Sequence, residues 1–134
     1  MIIAVDTNFI LDVVTDDPTF ADQSQTLLGQ AFDSGALVIC EIVYAELAPQ
    51  FDTMPDLDSV LDTLNIRIVE GGKEVAYLAG RKWVEYKQAG GTRQRLLPDF
   101  LVGSHALQKA ECLLTRDRGF YKTYFPELKL FGGR

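Results

Sequence analysis

The alternation of short apolar runs with helical segments constrains the fold of this chain more than any other feature of its sequence. Runs rich in aliphatic residues predict buried strands at 1–5, 36–40, 66–69 and 112–115, and a final edge strand at 128–131. The stretches between them have the apolar spacing and the end signals of helices. Strands that alternate with helices predict an α/β fold in three layers, with a central parallel sheet of four to five strands.

The end signals delimit the predicted helices. Helices are expected at 9–14, from Thr19 to before Gly35, at 41–50, from Pro55, and at 73–89 and 98–110. Thr19 with Asp22 three residues later has the pattern of a capping box. Pro98 stands at the start of its helix, where its missing N–H costs least.

Composition points to one ordinary globular domain. The 134 residues are 47% hydrophobic and 24% charged, and we expect a single domain over 1–134. No apolar run approaches the length of a membrane span, and the five apolar residues at the start are too few for a signal peptide, so a cytoplasmic protein is expected. Cys40 and Cys112 lie in apolar runs and are expected to be small core residues.

Four acidic residues stand out because each follows a predicted strand or lies at the start of a predicted helix. They are Asp6, Glu46, Asp99 and Asp117. Each also has a purely structural explanation. Asp6 and Asp99 can stabilise a helix N-terminus, Glu46 can form a salt bridge, and Asp117 can stabilise a turn.

Taken together, the four acids share one geometry, because the loops that follow parallel strands meet at the carboxyl edge of the sheet. Carboxylates that face one another repel, and their pKa values rise unless a cation compensates. Oxygen ligands of this kind suit Mg²⁺ or Mn²⁺, and such a site can activate water for attack on a phosphate. The net charge of −6 argues against non-specific binding of nucleic acid, but less so if four of these charges face a cation.

Four segments of the chain resemble those of PIN domains, and in particular those of the VapC-type toxins of bacterial and archaeal toxin–antitoxin pairs. In family order they are 5–8 (VDTN), 44–47 (YAEL), 98–106 (PDFLVGSHA) and 113–120 (LLTRDRGF). The first segment is a weak signal, whereas the third and fourth together are specific. The resemblance spans essentially the whole chain and implies a PIN-like fold.

The resemblance also implies an activity, a metal-dependent endoribonuclease that hydrolyses RNA with water and leaves a 5′-phosphate. The family's acidic positions imply that Asp6 and Asp99 bind Mg²⁺ (or Mn²⁺) directly, that Asp117 completes or water-bridges the metal set, and that Glu46 orients the attacking water or holds a second ion. The matching positions that support the site by hydrogen bonding are Thr7, Asn8 and Thr115. The family further implies inhibition of translation, a homodimer and a cognate antitoxin.

Four arginines near the acidic segments are the other charged candidates. Arg93, Arg95 and Arg116 are expected to contact substrate phosphates, whereas Arg118 is expected to be solvated. Arginines in loops are often simply solvated, so these assignments depend on where the side chains lie.

His105 and the aromatic segment 120–125 have structural explanations that we favour. His105 lies six residues after Asp99, so on a helix it points away from that carboxylate and is expected to pack or to support the site rather than to act as a base. The aromatic side chains could stack on bases, but core packing is the expected role.

Other α/β proteins with acids at a sheet edge fit the sequence less well. A receiver domain needs a phospho-acceptor Asp after its third strand, where this chain has Glu70-Gly71-Gly72. A haloacid-type phosphatase needs Asp-x-Asp, but Asn8 stands at the second position, and no glycine-rich phosphate-binding motif is present. The alternative that stays open is a PIN fold that binds RNA or a protein without cutting.

Overall fold

A four-stranded parallel sheet between helices forms the centre of the computed structural model, which describes residues 1–91 and 97–132. The strands are β1 (Ile2–Val5), β2 (Ala36–Ile39), β3 (Ile66–Ile68) and β4 (Cys112–Leu114). Their backbone pairing is parallel throughout, with Ile3 opposite Leu37 on one side and opposite Cys112 on the other. The three-layer fold predicted from the sequence is confirmed.

Helices connect and cover the strands. They are α1 (Thr7–Val14), α2 (Ala21–Ser34), α3 (Glu41–Leu47), which continues as a 3₁₀ turn (Ala48–Gln50), α4 (Met54–Thr63), α5 (Gly72–Gln88), α6 (Leu97–Lys109) and α7 (Arg118–Tyr124). Each predicted helix is present in the described residues. None of the described helices is long and apolar enough to cross a membrane.

The start of α2 differs from the predicted capping box. The helix begins at Ala21, after Thr19, and the Asp17 carboxylate accepts hydrogen bonds from the backbone N–H groups of Thr19 (2.8 Å) and Phe20 (2.9 Å). The Asp17 carboxylate therefore accepts the hydrogen bonds from free backbone N–H groups that the sequence predicted for the Thr19 side chain. The prediction therefore has the right element and the wrong capping residue.

The order in which the strands are added to the sheet reverses beside β1. The order is β3-β2-β1-β4, so the chain moves outward from β1 to β3 and then crosses back to the other side of β1. With right-handed crossovers, the helices before β2 and those before β4 cover opposite faces of the sheet. In open sheets, ligands bind beyond the carboxyl ends of the strands at such a switch point, which here lies between β1 and β4.

The predicted fifth strand is reduced to a single bridge. Leu130 pairs with Leu113 in parallel, supported by hydrogen bonds from Leu113 N to the Lys129 carbonyl (3.0 Å) and from Phe131 N to the Leu113 carbonyl (2.9 Å). The pairing is short because β4 has three residues, and Gly132 leaves the extended conformation with a φ of +89°. Four strands, not five, are present in the described residues.

The core lies on both faces of the sheet and includes the aromatic segment. Phe120 packs edge-to-face on Phe100 with ring centroids 5.3 Å apart, and Phe125 is fully buried. The expectation that this segment packs in the core is confirmed. Cys40 and Cys112 are buried free thiols, as expected.

Candidate metal centre

A polar pocket of about 250 Å³ opens at the carboxyl edge of the sheet, where the strand order reverses. Asp6 follows β1, Glu46 lies in α3, Asp99 is in the first turn of α6, and Asp117 precedes α7. The residues that line the pocket are Asp6, Thr7, Asn8, Leu11, Glu46, Pro98, Asp99, Val102, Asp117 and Tyr121. The four acids singled out in the sequence therefore surround one cavity, which we call the acidic pocket.

Asp6 is held at the junction of β1, β4 and α1. Its backbone N–H donates to the Leu114 carbonyl (2.9 Å), which extends the pairing of the two strands by one residue. Its Oδ1 accepts from the N–H of Thr7 (2.8 Å), and its Oδ2 accepts from the hydroxyl of Thr115 (2.7 Å). The carboxylate thus caps α1 and faces the pocket at once.

Glu46 is tied to the start of α1 by a hydrogen bond. The hydroxyl of Thr7, which is buried, donates to Glu46 Oε1 at 2.5 Å. The glutamate itself is largely exposed, although Val43, one turn earlier in α3, is buried. Thr7 therefore contacts two acids of the pocket, Asp6 through its backbone and Glu46 through its side chain.

Asp117 is positioned by the same threonine that binds Asp6. Its backbone N–H donates to Thr115 Oγ1 (3.0 Å), while that hydroxyl donates to Asp6. Asp117 occupies the N-cap position of α7, and Asp99 lies across the pocket in the first turn of α6. Both acids are therefore at the start of a helix that packs against the core.

The Asp6 carboxyl is the group whose ionisation the pocket perturbs. Burial raises its pKa above the ordinary value, and the negative charges of Glu46 and Asp99 add to that rise, while the hydrogen bonds from Thr115 and Thr7 oppose it. Crowding of negative charge around a buried carboxylate is the condition that a bound cation relieves.

The donors around the pocket suit a hard divalent cation. Every candidate ligand is an oxygen atom, from the carboxylates of Asp6, Glu46, Asp99 and Asp117 and from the side chains of Thr7 and Asn8. In the described residues no three Asp, Glu, His or Cys side chains are arranged to hold an ion as they stand. A pocket lined by carboxylates nevertheless suits Mg²⁺, because this ion usually keeps several waters and binds only one or two protein carboxylates.

The arginines and the histidine have different surroundings from the acids. Arg93 and Arg95 lie outside the described residues. Arg118 is half-buried and donates from Nη1 to the Phe131 carbonyl (2.8 Å), so the expectation of a solvated Arg118 is wrong: the side chain ties α7 to the C-terminal segment. His105 is buried, with Nε2 2.6 Å from the Val69 carbonyl, which confirms its packing role.

Arg116 lies beside the acidic pocket without lining it. Its Nη1 is 2.9 Å from Oδ2 of Asp12, and its guanidinium lies 3.9 Å from the centre of the Phe20 ring. The side chain lines a larger neighbouring groove of about 820 Å³ instead. A phosphate contact from Arg116 would therefore involve a part of the substrate outside the pocket.

Asp12 is the polar residue near the site that the sequence analysis missed. It is 5% exposed and is bound by Arg116 and by the hydroxyl of Ser24 (2.6 Å). The signal was present, since Asp12 interrupts the apolar helix 9–14 in the way that Glu46 interrupts its own segment. Its partners lie 12 and 104 residues further along the chain, however, and only the fold brings them together.

Comparison with protein families gives a match over most of the chain. The model of the PIN domain matches residues 3–126. No curated protein matches the sequence.

Solved structures with the same fold include VapBC complexes. VapBC2 from Rickettsia felis, bound to a promoter DNA fragment, aligns with a TM-score of 0.72 and 24% identity over 97% of each chain. VapBC-1 from nontypeable Haemophilus influenzae gives a TM-score of 0.72 and 20% identity over 97% of this chain and 96% of the other. FitAcB from Neisseria gonorrhoeae gives 0.66 and 18% over 97% and 96%. At these identities the similarity is one of fold.

Proposed function

The chain belongs to the PIN-domain family, and from that premise we propose that it is a Mg²⁺- or Mn²⁺-dependent endoribonuclease, the toxin of a toxin–antitoxin pair that inhibits translation. The observation that carries the proposal is the acidic pocket. Four acids from four separate segments line one cavity at the switch point of the sheet. Purely structural acids, each at its own helix end or turn, have no reason to share a cavity.

The proposed roles follow the positions of the carboxylates. Asp6 and Asp99 bind the cation directly, and Asp117 completes the set or contacts the ion through water. Glu46 orients the attacking water or holds a second ion. Thr7 and Thr115 support this arrangement, since each contacts two acids of the pocket. Asn8 adds an exposed amide at the pocket rim.

The chemistry would be hydrolysis of an RNA phosphodiester bond. When bound, the cation lowers the pKa of a coordinated water and neutralises charge on the phosphate. The Glu46 carboxylate is suited to accept a proton from that water, because it is exposed to the pocket and held in place by Thr7. The water oxygen would bond to phosphorus as the P–O3′ bond breaks; the 3′-oxygen would take a proton from solvent and leave as a hydroxyl, and the phosphate would remain at the 5′ end of the downstream fragment.

Substrate and protein partners are part of the proposal. Arg93, Arg95 and Arg116 would contact phosphates of the RNA along its path to the pocket. The Rickettsia felis and Haemophilus influenzae structures are VapBC complexes, which supports a small antitoxin as the partner of this chain. We also propose a cytoplasmic homodimer.

The test is cleavage of single-stranded RNA by the purified protein in the presence of Mg²⁺ or Mn²⁺. Cleavage should disappear with a chelator and in the variants Asp6→Ala and Asp99→Ala. Activity that persists in either variant would show that a contaminating nuclease is responsible and would contradict the proposal.

The alternative is a PIN fold that binds RNA or a protein without cutting. The observation in its favour is that no three side chains in the described residues are arranged as a complete set of metal ligands. RNA that is retained by the protein with Mn²⁺ present, yet stays intact through prolonged incubation, would decide for this alternative.

A further inference from the structure

An ion pair between Asp12 and Arg116 joins α1 to the segment that carries Asp117 of the pocket and Thr115, which binds Asp6. Asp12 lies on α1 and is 5% exposed, and Arg116 lies between β4 and α7 with its side chain 30% exposed. The two charged groups are 2.9 Å apart. Ser24 of α2 donates a hydrogen bond to the same Asp12 oxygen (2.6 Å), and the Phe20 ring covers the guanidinium.

The position of Arg116 in the chain connects this pair to the acidic pocket. Its neighbour on one side is Thr115, whose hydroxyl binds Asp6, and its neighbour on the other side is Asp117. Arg116 itself lines the neighbouring groove and not the acidic pocket, so it contacts Asp12 outside the pocket. Helix α1 takes part in both the pocket and the ion pair, because it begins at the pocket with Thr7 and carries Asp12 further along.

An ion pair with a buried carboxylate and a half-buried guanidinium contributes little to stability alone. Taking a carboxylate and a guanidinium out of water offsets most of their attraction, and apolar residues of similar size often serve as well. The Arg116 guanidinium is nevertheless restrained from two sides, by the Asp12 carboxylate and by the Phe20 ring, and this restraint extends to the backbone that carries it.

We propose that Asp12 is a positioning residue of the acidic pocket, which acts through Arg116 to fix the segment from Thr115 to Asp117. The inference rests on the proposed function, since it assumes that the pocket binds a divalent cation. Asp12 does not line the pocket, yet through this contact α1 and α2 would influence the affinity of the pocket for the ion.

The experiment measures Mn²⁺ affinity by calorimetry in the full-length protein and three variants. Asp12→Asn keeps the shape of the side chain and removes its charge. We expect it to weaken Mn²⁺ binding roughly tenfold or more, as is usual when a group that orients a metal ligand is removed. Ser24→Ala is the matched control, because it removes the hydrogen bond to the same oxygen and leaves the ion pair; its affinity should stay within about twofold of wild type.

The double variant Asp12→Asn/Arg116→Gln separates positioning from simple charge. Asp12→Asn alone leaves an unpaired positive charge near the pocket, which would repel a cation without any movement of the chain. The double variant has the net charge of wild type and leaves neither group unpaired, so we expect it to fold even if Asp12→Asn alone does not. We expect it to bind Mn²⁺ as weakly as Asp12→Asn.

Each outcome decides the matter. Wild-type affinity in the double variant, or in Asp12→Asn itself, overturns the positioning role while the proposed function stands. No Mn²⁺ binding by the wild-type protein overturns the proposed function and this inference together. Faster hydrogen exchange at the Asp117 amide in Asp12→Asn, measured without metal, would support the inference independently, because that N–H is bound within the held segment.

Discussion

At the scale of single residues, the acidic pocket brings negative charges close together around a carboxylate that is partly removed from water. Asp6 is half-buried, its carboxylate is bound by Thr7 and Thr115, and the charges of Glu46 and Asp99 lie near it. Its pKa is raised above the ordinary value, chiefly by burial. At neutral pH the ionised form is therefore a net cost to the folded protein, which a bound cation would offset.

Replacement of Asp6 by Asn should separate stability from activity. Asp6→Asn removes the unfavourable charge and retains an oxygen that can accept from Thr7, so we expect a higher thermal midpoint, by roughly 3–5 °C for each kcal/mol relieved in a domain of this size. RNA cleavage should fall more than about 100-fold, because the variant loses a proposed metal ligand. Calorimetry and a cleavage assay on one preparation test both effects. A lower midpoint would mean that Asp6 serves mainly as a helix cap.

His105 should make stability depend on pH around neutrality. Burial lowers its pKa below the ordinary value, so as pH falls the unfolded chain takes up a proton first. The free energy of unfolding should therefore decrease below about pH 6.5, with a slope of at most about 1.4 kcal/mol per pH unit for one proton. In His105→Gln, which can still donate to the Val69 carbonyl, this slope should disappear between pH 7.5 and 5.5. Equal pH profiles of the two proteins in urea would refute the assignment.

The site shows how far reasoning from single residues extends. Asp6, Glu46, Asp99 and Asp117 could be identified because each breaks an apolar pattern or follows a strand, and their arrangement around one pocket follows from parallel topology. Asp12 could not be assigned a partner, because its contact with Arg116 depends on how α1 packs beside the end of β4. Arg118 was misjudged for the same reason, since its acceptor is a backbone carbonyl thirteen residues away.

At the scale of elements, the position of α6 determines where Asp99 lies. The helix contacts β1 and β4 and packs on α5, and Gly103 lies in its middle against the Phe125 ring. A Cβ at Gly103 would be 2.6 Å from the nearest ring atom. The close approach of α6 to the C-terminal aromatic segment therefore requires glycine.

Gly103→Ala should destabilise the protein by about 1–3 kcal/mol, the usual cost of adding a methyl group to a filled core. The matched control is Gly29→Ala in the exposed part of α2, where a Cβ meets nothing within 4 Å. That substitution should instead stabilise by about 0.5–1 kcal/mol, because alanine is the better helix residue. Urea unfolding of the two variants gives the comparison, and a stable Gly103→Ala would contradict the packing described for α6.

The elements were predicted best where the pattern of apolar residues was long. The helices α1 to α6 and the four strands follow from periodicity and end signals, whereas α7 was not among the predicted helices. The fifth strand did not form, because the length of a strand depends on the partner that it pairs with, and β4 offers three residues. The start of α2 was misplaced because Asp17, rather than Thr19, supplies the oxygen that binds the free N–H groups.

At the scale of the whole molecule, the acidic pocket should link metal binding to global stability. An ion that binds only the folded chain stabilises it by about 2.7 kcal/mol at a concentration one hundred times its dissociation constant. We therefore expect Mn²⁺ to raise the thermal midpoint of the wild-type protein and to have little effect on Asp99→Asn. The same rise in both proteins would place the ion elsewhere and contradict the assignment of Asp99 as a ligand.

The central claim is that the acidic pocket hydrolyses RNA with a metal-activated water, and the product ends test it most directly. Protein freed of metal by a chelator is incubated with a labelled single-stranded RNA, first alone and then after addition of Mn²⁺. The account predicts intact RNA in the first incubation and products with 5′-phosphate and 3′-hydroxyl ends in the second. Cleavage without metal, or products with 2′,3′-cyclic phosphate ends, would contradict it.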